Sequence, residues 1–342
     1  MALQRLAMIT QEADGWQVPE WRRQQADLVT DLDQLCELLE LDRADLAAGA
    51  DPASDFPLRV PRAYLDRIEK GNPADPLLRQ VLAHRDERRE VPGYGPDPLD
   101  ESAHTPVPGV LHKYHGRALL VVTGACAVHC RYCFRRHFPY QTHLSGGRWR
   151  AALDWLARRE DIQEVILSGG DPLTLSNGRL RQLLDELAAL PHLRRLRVHT
   201  RTPVVLPARL DQELVELLAR PRWRTTVVFH ANHAREISPQ LAMACADLGA
   251  AGVTLLNQSV LLAGVNDDSD ALVALSEALH EARVLPYYLH QLDAVAGAAH
   301  FAVDDRRALA LVREMRGRLP GFLVPRLARE EPGEDAKTVL AG

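Results

Sequence analysis

From Arg117 onward the chain alternates short apolar or β-branched runs with amphipathic helical runs. No other feature limits the fold as much. The strand-like runs fall at 117–123, 164–168, 196–199, 225–229, 253–257 and 285–289. Helical patterns lie between them, near 148–159, 179–190, 211–219, 239–248 and 270–282, and a last one covers 304–318. Strands separated by helices pair in parallel through right-handed crossovers. Six such units rather than eight predict an α/β fold of the partial (β/α)6 barrel type, open on one side. In β/α barrels the chemistry sits at the C-terminal ends of the strands. Here those ends carry Gly124 and a cysteine loop, Ser168-Gly169-Gly170-Asp171, His199-Thr200-Arg201, His230-Ala231-Asn232-His233, Asn257-Gln258-Ser259 and His290. Polar groups finish every strand, which chance placement would not do so regularly.

Residues 1–111 read as a mainly helical region. Residues 1–56 are helical in pattern, with 21–41 amphipathic, and further helices are expected over 61–70 and 75–84. A Pro/Gly-rich connector follows at 91–98. No catalytic constellation lies in this third of the chain, so it is expected to act as a cover. The barrel is expected over 112–320, with a tail over 321–342; no convincing internal repeat is present.

Three of the five cysteines, Cys126, Cys130 and Cys133, fall within eight residues with the spacing C-x3-C-x2-C, directly after the first strand. Three thiolates on one tight loop can hold three corners of a cubic iron–sulfur cluster and leave the fourth iron open for chemistry. A tetrahedral zinc site would need a fourth Cys or His, and His129 and His137 are near in sequence, so a non-catalytic zinc protein is the alternative. Cys36 and Cys245 sit in helical patterns and read as buried small hydrophobes.

The C-x3-C-x2-C loop at a strand end resembles the signature of the radical S-adenosylmethionine (SAM) enzymes. The longer string Cys130-Arg-Tyr-Cys-Phe-Arg-Arg-His-Phe resembles the lysine 2,3-aminomutase family, within it the short bacterial branch that makes β-lysine for modifying elongation factor P. The similarity runs from about Leu58 to Lys337. It implies an isomerase with a [4Fe–4S] cluster on the three cysteines, SAM and pyridoxal 5′-phosphate (PLP). L-lysine would be its substrate, with a functional link to elongation factor P and its lysyl ligase. By the same resemblance Ser168, Gly169, Gly170 and Asp171 bind SAM, joined by His230 and Asn232, with His233 beside them.

A Schiff-base amine needs a lysine, and the chain has three: Lys70, Lys113 and Lys337. Lys70 reads as solvated at a helix end. Lys337 matches the family's PLP lysine, in a tail after a Pro/Gly turn. Arg117, Arg201 and Gln258 come at strand ends, and arginine suits phosphate; Lys113 and Arg117 stand where the family has two arginines near PLP. Arg135 matches the arginine that pairs with the substrate carboxylate. Asp293 matches a carboxylate that holds the distal amine, and Glu330 stands where its partner aspartate would be. Two carboxylates favour a cationic substrate end over an acidic one. A PLP-independent radical SAM enzyme, and free β-lysine production for another pathway, are the other readings.

Composition narrows the setting. With 342 residues, 46% hydrophobic and 25% charged, the chain can bury an ample core. A net charge of −5 spread along the chain gives no nucleic-acid patch. No apolar run approaches the roughly 18 residues of a membrane span, and clustered, odd-numbered cysteines indicate a reducing cytoplasm. Oligomeric state is not legible.

Overall fold

The computed structural model describes residues 18–342 apart from 48, 52 and 145–148; the helical expectation for 1–17 and the first residue of the 148–159 helix lie outside the described residues. One nine-stranded sheet dominates. Its first strand, β1 (Val110–Leu111), is antiparallel to β2 (Arg117–Thr123). From β2 the neighbours run parallel: β3 (Glu164–Gly169), β4 (Arg195–Thr200), β5 (Arg224–Phe229), β6 (Thr254–Val260) and β7 (Leu285–His290). The intervening helices are α1 (Arg150–Ala157), α2 (Asn177–Ala188), α3 (Gln212–Leu218), α4 (Pro239–Ala250), α5 (Ser269–Glu281) and, after β7, α6 (Asp305–Arg316). All six expected strands and all six expected helices are present, within a few residues of their predicted bounds.

The helices begin where the sequence supplies a cap. Ser176, Asp211, Ser238, Asp268 and Asp304 each accept from the backbone N–H three residues on, opening α2 to α6. Strand periodicity then sorts side chains by face. Val165, Leu167, Leu196, Val198, Val227 and Phe229 point to the helices and form the main core. Ile166, Ser168, Arg197, His199 and Gln258 face the other way, into a cavity.

The sheet has one more parallel strand than expected. β8 (Arg326–Arg329) in the tail pairs parallel with β7, and β9 (Thr338–Ala341) returns antiparallel to β8. Arg-Leu-Ala-Arg is too short and too poor in β-branched residues to show this strand beforehand. The strand order follows the chain from β1 to β9, and the two edges do not pair, so the barrel is open.

The N-terminal region differs more from expectation. The single helix expected over 21–41 is two helices, Glu20–Ala26 and Leu32–Leu39, separated by the extended pair Leu28–Val29, which bonds to Val60–Pro61. Asp31 caps the second helix by accepting from Gln34 N at 2.9 Å, which stops the first from running through. The helices expected over 61–70 and 75–84 shrink to Arg62–Leu65 and Pro76–Arg79. Buried Asp75 accounts for this: it caps Leu77 and Leu78, accepts from Glu69 N and pairs with Arg235.

This region is a packed layer, not a loose cover. Trp21, Leu35, Leu39, Tyr64, Leu77 and Leu78 form a second core, completed by Ala127 and Val128 of the cysteine loop and by Val205 and Leu206 after β4. Trp21 stacks on the fully buried Arg209, whose guanidinium lies 4.3 Å from the ring centroid and donates to the carbonyls of Leu173 (2.6 Å) and Leu175 (3.1 Å). Trp21→Ala removes the largest anchor of the layer. Equilibrium urea unfolding is expected to show a loss of about 3–5 kcal/mol, the usual cost of truncating a buried tryptophan.

Candidate active site

The cysteine loop is built by its neighbours. Ala125 N donates to Thr123 Oγ1 at 3.1 Å as the chain leaves β2. Beyond β3, Gly170 N donates to Thr123 O (2.7 Å) and Asp171 N to Ala125 O (2.8 Å). The two glycines are needed for this approach. A Cβ on Gly169, at φ +123°, would sit 2.4 Å from Thr123 O, and one on Gly170 would sit 2.4 Å from Ala125 O. Asp171 is turned into the fold, accepting from Thr200 Oγ1 (2.7 Å), Arg201 N (2.7 Å) and Thr202 N (2.8 Å). The Ser-Gly-Gly-Asp turn therefore seats the cysteine loop against β4.

The N-terminal layer holds the loop from the other side. Arg59 Nε donates to Cys126 O at 2.9 Å, and Arg131 N to Gln80 O at 2.9 Å. Each arginine of the cysteine string finds its carboxylate there: Arg131 and Arg136 on Glu87, and Arg135 on Glu101 through two bonds of 2.8 and 2.7 Å. His129 points its Nδ1 at Pro57 O (2.9 Å) and stacks on Phe56, while His137 Nε2 meets Ala296 O (3.1 Å).

These placements test what the loop can hold. Among the described residues no three His, Cys, Asp or Glu side chains converge as a single-ion site, and both histidines that could complete a zinc tetrahedron are bound to carbonyls. A cubic cluster makes a different demand, one thiolate to each of three irons with the fourth open to ligand. Cys126, Cys130 and Cys133 line one cavity, and their thiols are pushed above the ordinary range by burial, Cys133 to about 11. The loop fits the cluster, whose binding would displace those protons.

That cavity, of about 600 Å³, is also lined by Ser168 to Asp171, His230 and Asn232; Lys113, Arg117, Arg201 and Gln258; Arg135, Asp293, Glu330 and Lys337. His233 is taken up elsewhere; its Nδ1 caps the turn Ala234–Glu236 by accepting from Arg235 N. Asn232 clamps strand ends, donating to Gln80 Oε1 (3.0 Å) and accepting from Val260 N (2.8 Å).

Three of the cavity's arginines are already neutralised: Arg135 by Glu101, Arg197 by Glu164 and Arg201 by Glu236. Arg201 also donates to Tyr132, Gln80 and the His230 carbonyl, which leaves only its Nε without a partner. Arg117 is different. Stacked over Tyr114 at 4.5 Å, it has no hydrogen bond or ion pair among the described residues.

The carboxylates divide in the same way. Glu330 bridges Lys337 Nζ (2.8 Å) and Lys113 Nζ (3.0 Å). Although burial opposes it, the lysine charges hold its pKa down at about 2. Asp293 makes no side-chain hydrogen bond or ion pair among the described residues. Burial first and the charge of Glu330 second push it up to about 7. His199, His230 and His290 line the same cavity and are kept neutral by burial, His230 at about 3, where Gln258 Nε2 meets its Nε2 at 2.8 Å. Glu101 and Tyr288 also line the cavity, and nothing in their local sequence pattern marks them; Tyr132 lies within the cysteine string but carries no assignment from it.

The comparisons agree with this geometry. A model of the Radical SAM superfamily matches residues 120–273. The chain is 52% identical over 323 residues to the L-lysine 2,3-aminomutase of Escherichia coli, covering 94% of each. It is 46% identical over 314 residues to that of Haemophilus influenzae, covering 92% of this chain and 93% of that one. To that of Clostridium subterminale it is 34% identical, covering 93% of this chain and 77% of that one. A likeness of this extent covers far more than the cysteine loop, and the chain belongs to the lysine 2,3-aminomutase family of radical SAM enzymes.

Proposed function

We propose that this isomerase moves the amino group of L-lysine from Cα to Cβ, giving β-lysine, with PLP as a second cofactor beside the cluster and SAM. The observation that carries the reading is a pair of side chains in one cavity with no ionic partner among the described residues, the Arg117 guanidinium and the Asp293 carboxyl, on the wall that also carries Lys337. Membership of the radical SAM family implies the [4Fe–4S] cluster and SAM. Cys126, Cys130 and Cys133 would hold the cluster, and Ser168, Gly169, Gly170, His230 and Asn232 border the space for SAM, with Asp171 fixing the turn behind them. Together the cofactors supply a carbon-centred radical and a conjugated ring that delocalises it.

The chain's own residues supply position and charge. Lys337 is the amine for PLP, and Arg117 is the cation left for its phosphate, with Gln258 and the Nε of Arg201 as neutral and secondary donors. Arg135, fixed by Glu101 and donating to Ser168 Oγ at 3.0 Å, is the residue we assign to the substrate carboxylate, by its resemblance to the family arginine. Asp293 would receive the distal ammonium. Glu330, which accepts from both Lys337 and Lys113, would hold the two lysines in position at the cofactor's edge. A single unpaired carboxylate at the far end suits a diamino acid and repels a glutamate.

Supply of that β-lysine for modifying elongation factor P is the role we propose in the cell. It is supported by the resemblance of the string from Cys130 to Phe138; free β-lysine for another use is the second reading. Among the described residues no helix is long and apolar enough to cross a membrane, which accords with a cytoplasmic site.

Two outcomes test the proposal. Anaerobic assay of the reconstituted protein with SAM, PLP, a reductant and L-lysine should give β-lysine by chiral mass spectrometry. Lys337→Ala should give none and should lose the visible absorbance of bound PLP; retention of that band assigns the cofactor elsewhere.

The second outcome concerns pH. The groups acting on Asp293 are Glu330, Lys337, Glu101 and Lys113. Because its pKa is raised to about 7, the carboxylate is protonated below that pH and the ammonium loses its partner. KM for L-lysine should rise about tenfold per pH unit as pH falls below 7. Asp293→Asn should abolish that limb and raise KM about 10- to 100-fold at neutral pH, the worth of one hydrogen bond to a charged group.

A further inference from the structure

The two ends of the sheet do not pair, but an ion pair crosses the seam between them. Lys113 follows β1, at one end of the sheet, by two residues, and Glu330 follows β8, in the terminal hairpin at the other, by one. Lys113 Nζ donates to Glu330 Oε1 at 3.0 Å, with side chains only 9% and 15% exposed. Lys113 is held from behind as well, donating to Leu99 O at 2.7 Å. Leu99 follows the Pro/Gly-rich connector, which is itself bonded to the loop after β7: Gly95 N donates to Ala294 O (2.9 Å), and Gly95 O accepts from Ala296 N (2.8 Å).

Lys337 takes the second oxygen of Glu330. In the terminal hairpin Arg329 of β8 stands opposite Thr338 of β9. Glu330 and Lys337 occupy the next cross-strand position, and Lys337 Nζ donates to Oε2 at 2.8 Å. A carboxylate gripped at both oxygens is fixed in its plane. Without Lys113 that carboxylate would be free to turn, and the Lys337 amine would be free to follow it. The same contacts argue against Lys113 as a phosphate ligand. Two of its three protons are committed, to a carbonyl and to a carboxylate. Arg117 has no hydrogen bond or ion pair among the described residues.

We propose that Lys113 is a positioning residue: it fixes Glu330 across the barrel's seam, and Glu330 in turn sets the place of the Lys337 amine in the cavity. Lys113 therefore acts on PLP through Lys337 and makes no contact with its phosphate. The inference rests on the reading of Lys337 as the PLP amine.

The test is equilibrium binding of PLP to the cluster-reconstituted protein without SAM or L-lysine, read by visible absorbance, with inorganic phosphate titrated as competitor. The double variant Lys113→Met/Glu330→Gln removes the pair and leaves the net charge unchanged. It should bind PLP about tenfold more weakly, the worth of one hydrogen bond to a charged group, with the inhibition constant of inorganic phosphate unchanged. Lys113→Met alone should bind PLP as weakly as the double variant, because residues that act as a unit do not add. Arg117→Gln should instead raise the phosphate constant about tenfold. A double variant with wild-type PLP affinity overturns the proposal, and so does one that loses phosphate inhibition as Arg117→Gln does. Thermal unfolding shows which variants fold. Where those at Lys113 do not, the isosteric Glu330→Gln decides, and an unchanged PLP affinity in it overturns the proposal. Borohydride reduction and peptide mass spectrometry locate PLP in the wild type. Attachment away from Lys337 defeats the PLP reading and this inference with it.

Discussion

The contact on which the site depends is that of two bare backbones. Where β3 ends, Gly169 and Gly170 lie so close to Thr123 and Ala125 that a single methyl group would overlap a carbonyl oxygen in each case. The hydrogen bonds made across this gap fix the cysteine loop relative to β3, and Asp171 passes the constraint on to β4. Loops carry most function but are the least constrained parts of a fold. Here the loop is made rigid without any side chain at its closest point.

Around that contact the protein sorts charges by burial. A buried charge is tolerated when paired, and the cost of leaving one unpaired is several kcal/mol. Arg131, Arg135, Arg197 and Arg201 all obey this rule, each held by a glutamate. Arg117 and Asp293, half-buried on the wall of one cavity, are without such a partner among the described residues, in opposite senses. Unmatched groups of this kind mark where a protein expects ligands: an anionic group beside Arg117 and a cationic one beside Asp293.

The barrel was legible because period-two strands, helical runs and Ser or Asp caps agree locally. The cysteines, the glycine pair and the polar strand ends were legible because spacing exposes them. What could not be read were partnerships over long separations: Glu101 with Arg135, Glu87 with Arg131, Glu236 with Arg201. Nothing near Glu87 or Glu101 distinguishes a surface glutamate from a buried counter-ion. The N-terminal helices were overestimated for a related reason. Asp31 and Asp75 act there through capping and tertiary bonds, which override a good amphipathic pattern. The glycines at 169–170 were noticed for the approach of a ligand, whereas the structure first uses them for the approach of the chain itself.

The arginines of the cysteine string take all their carboxylates from residues before 112, and the side-chain oxygen of Gln80 serves both Arg201 and Asn232. The N-terminal layer is therefore not an interchangeable module. A leading third without Glu87 and Glu101 would leave cations without counter-ions at the edge of the active site. A substitution at Glu87, Glu101 or Gln80 is constrained by residues more than thirty positions away.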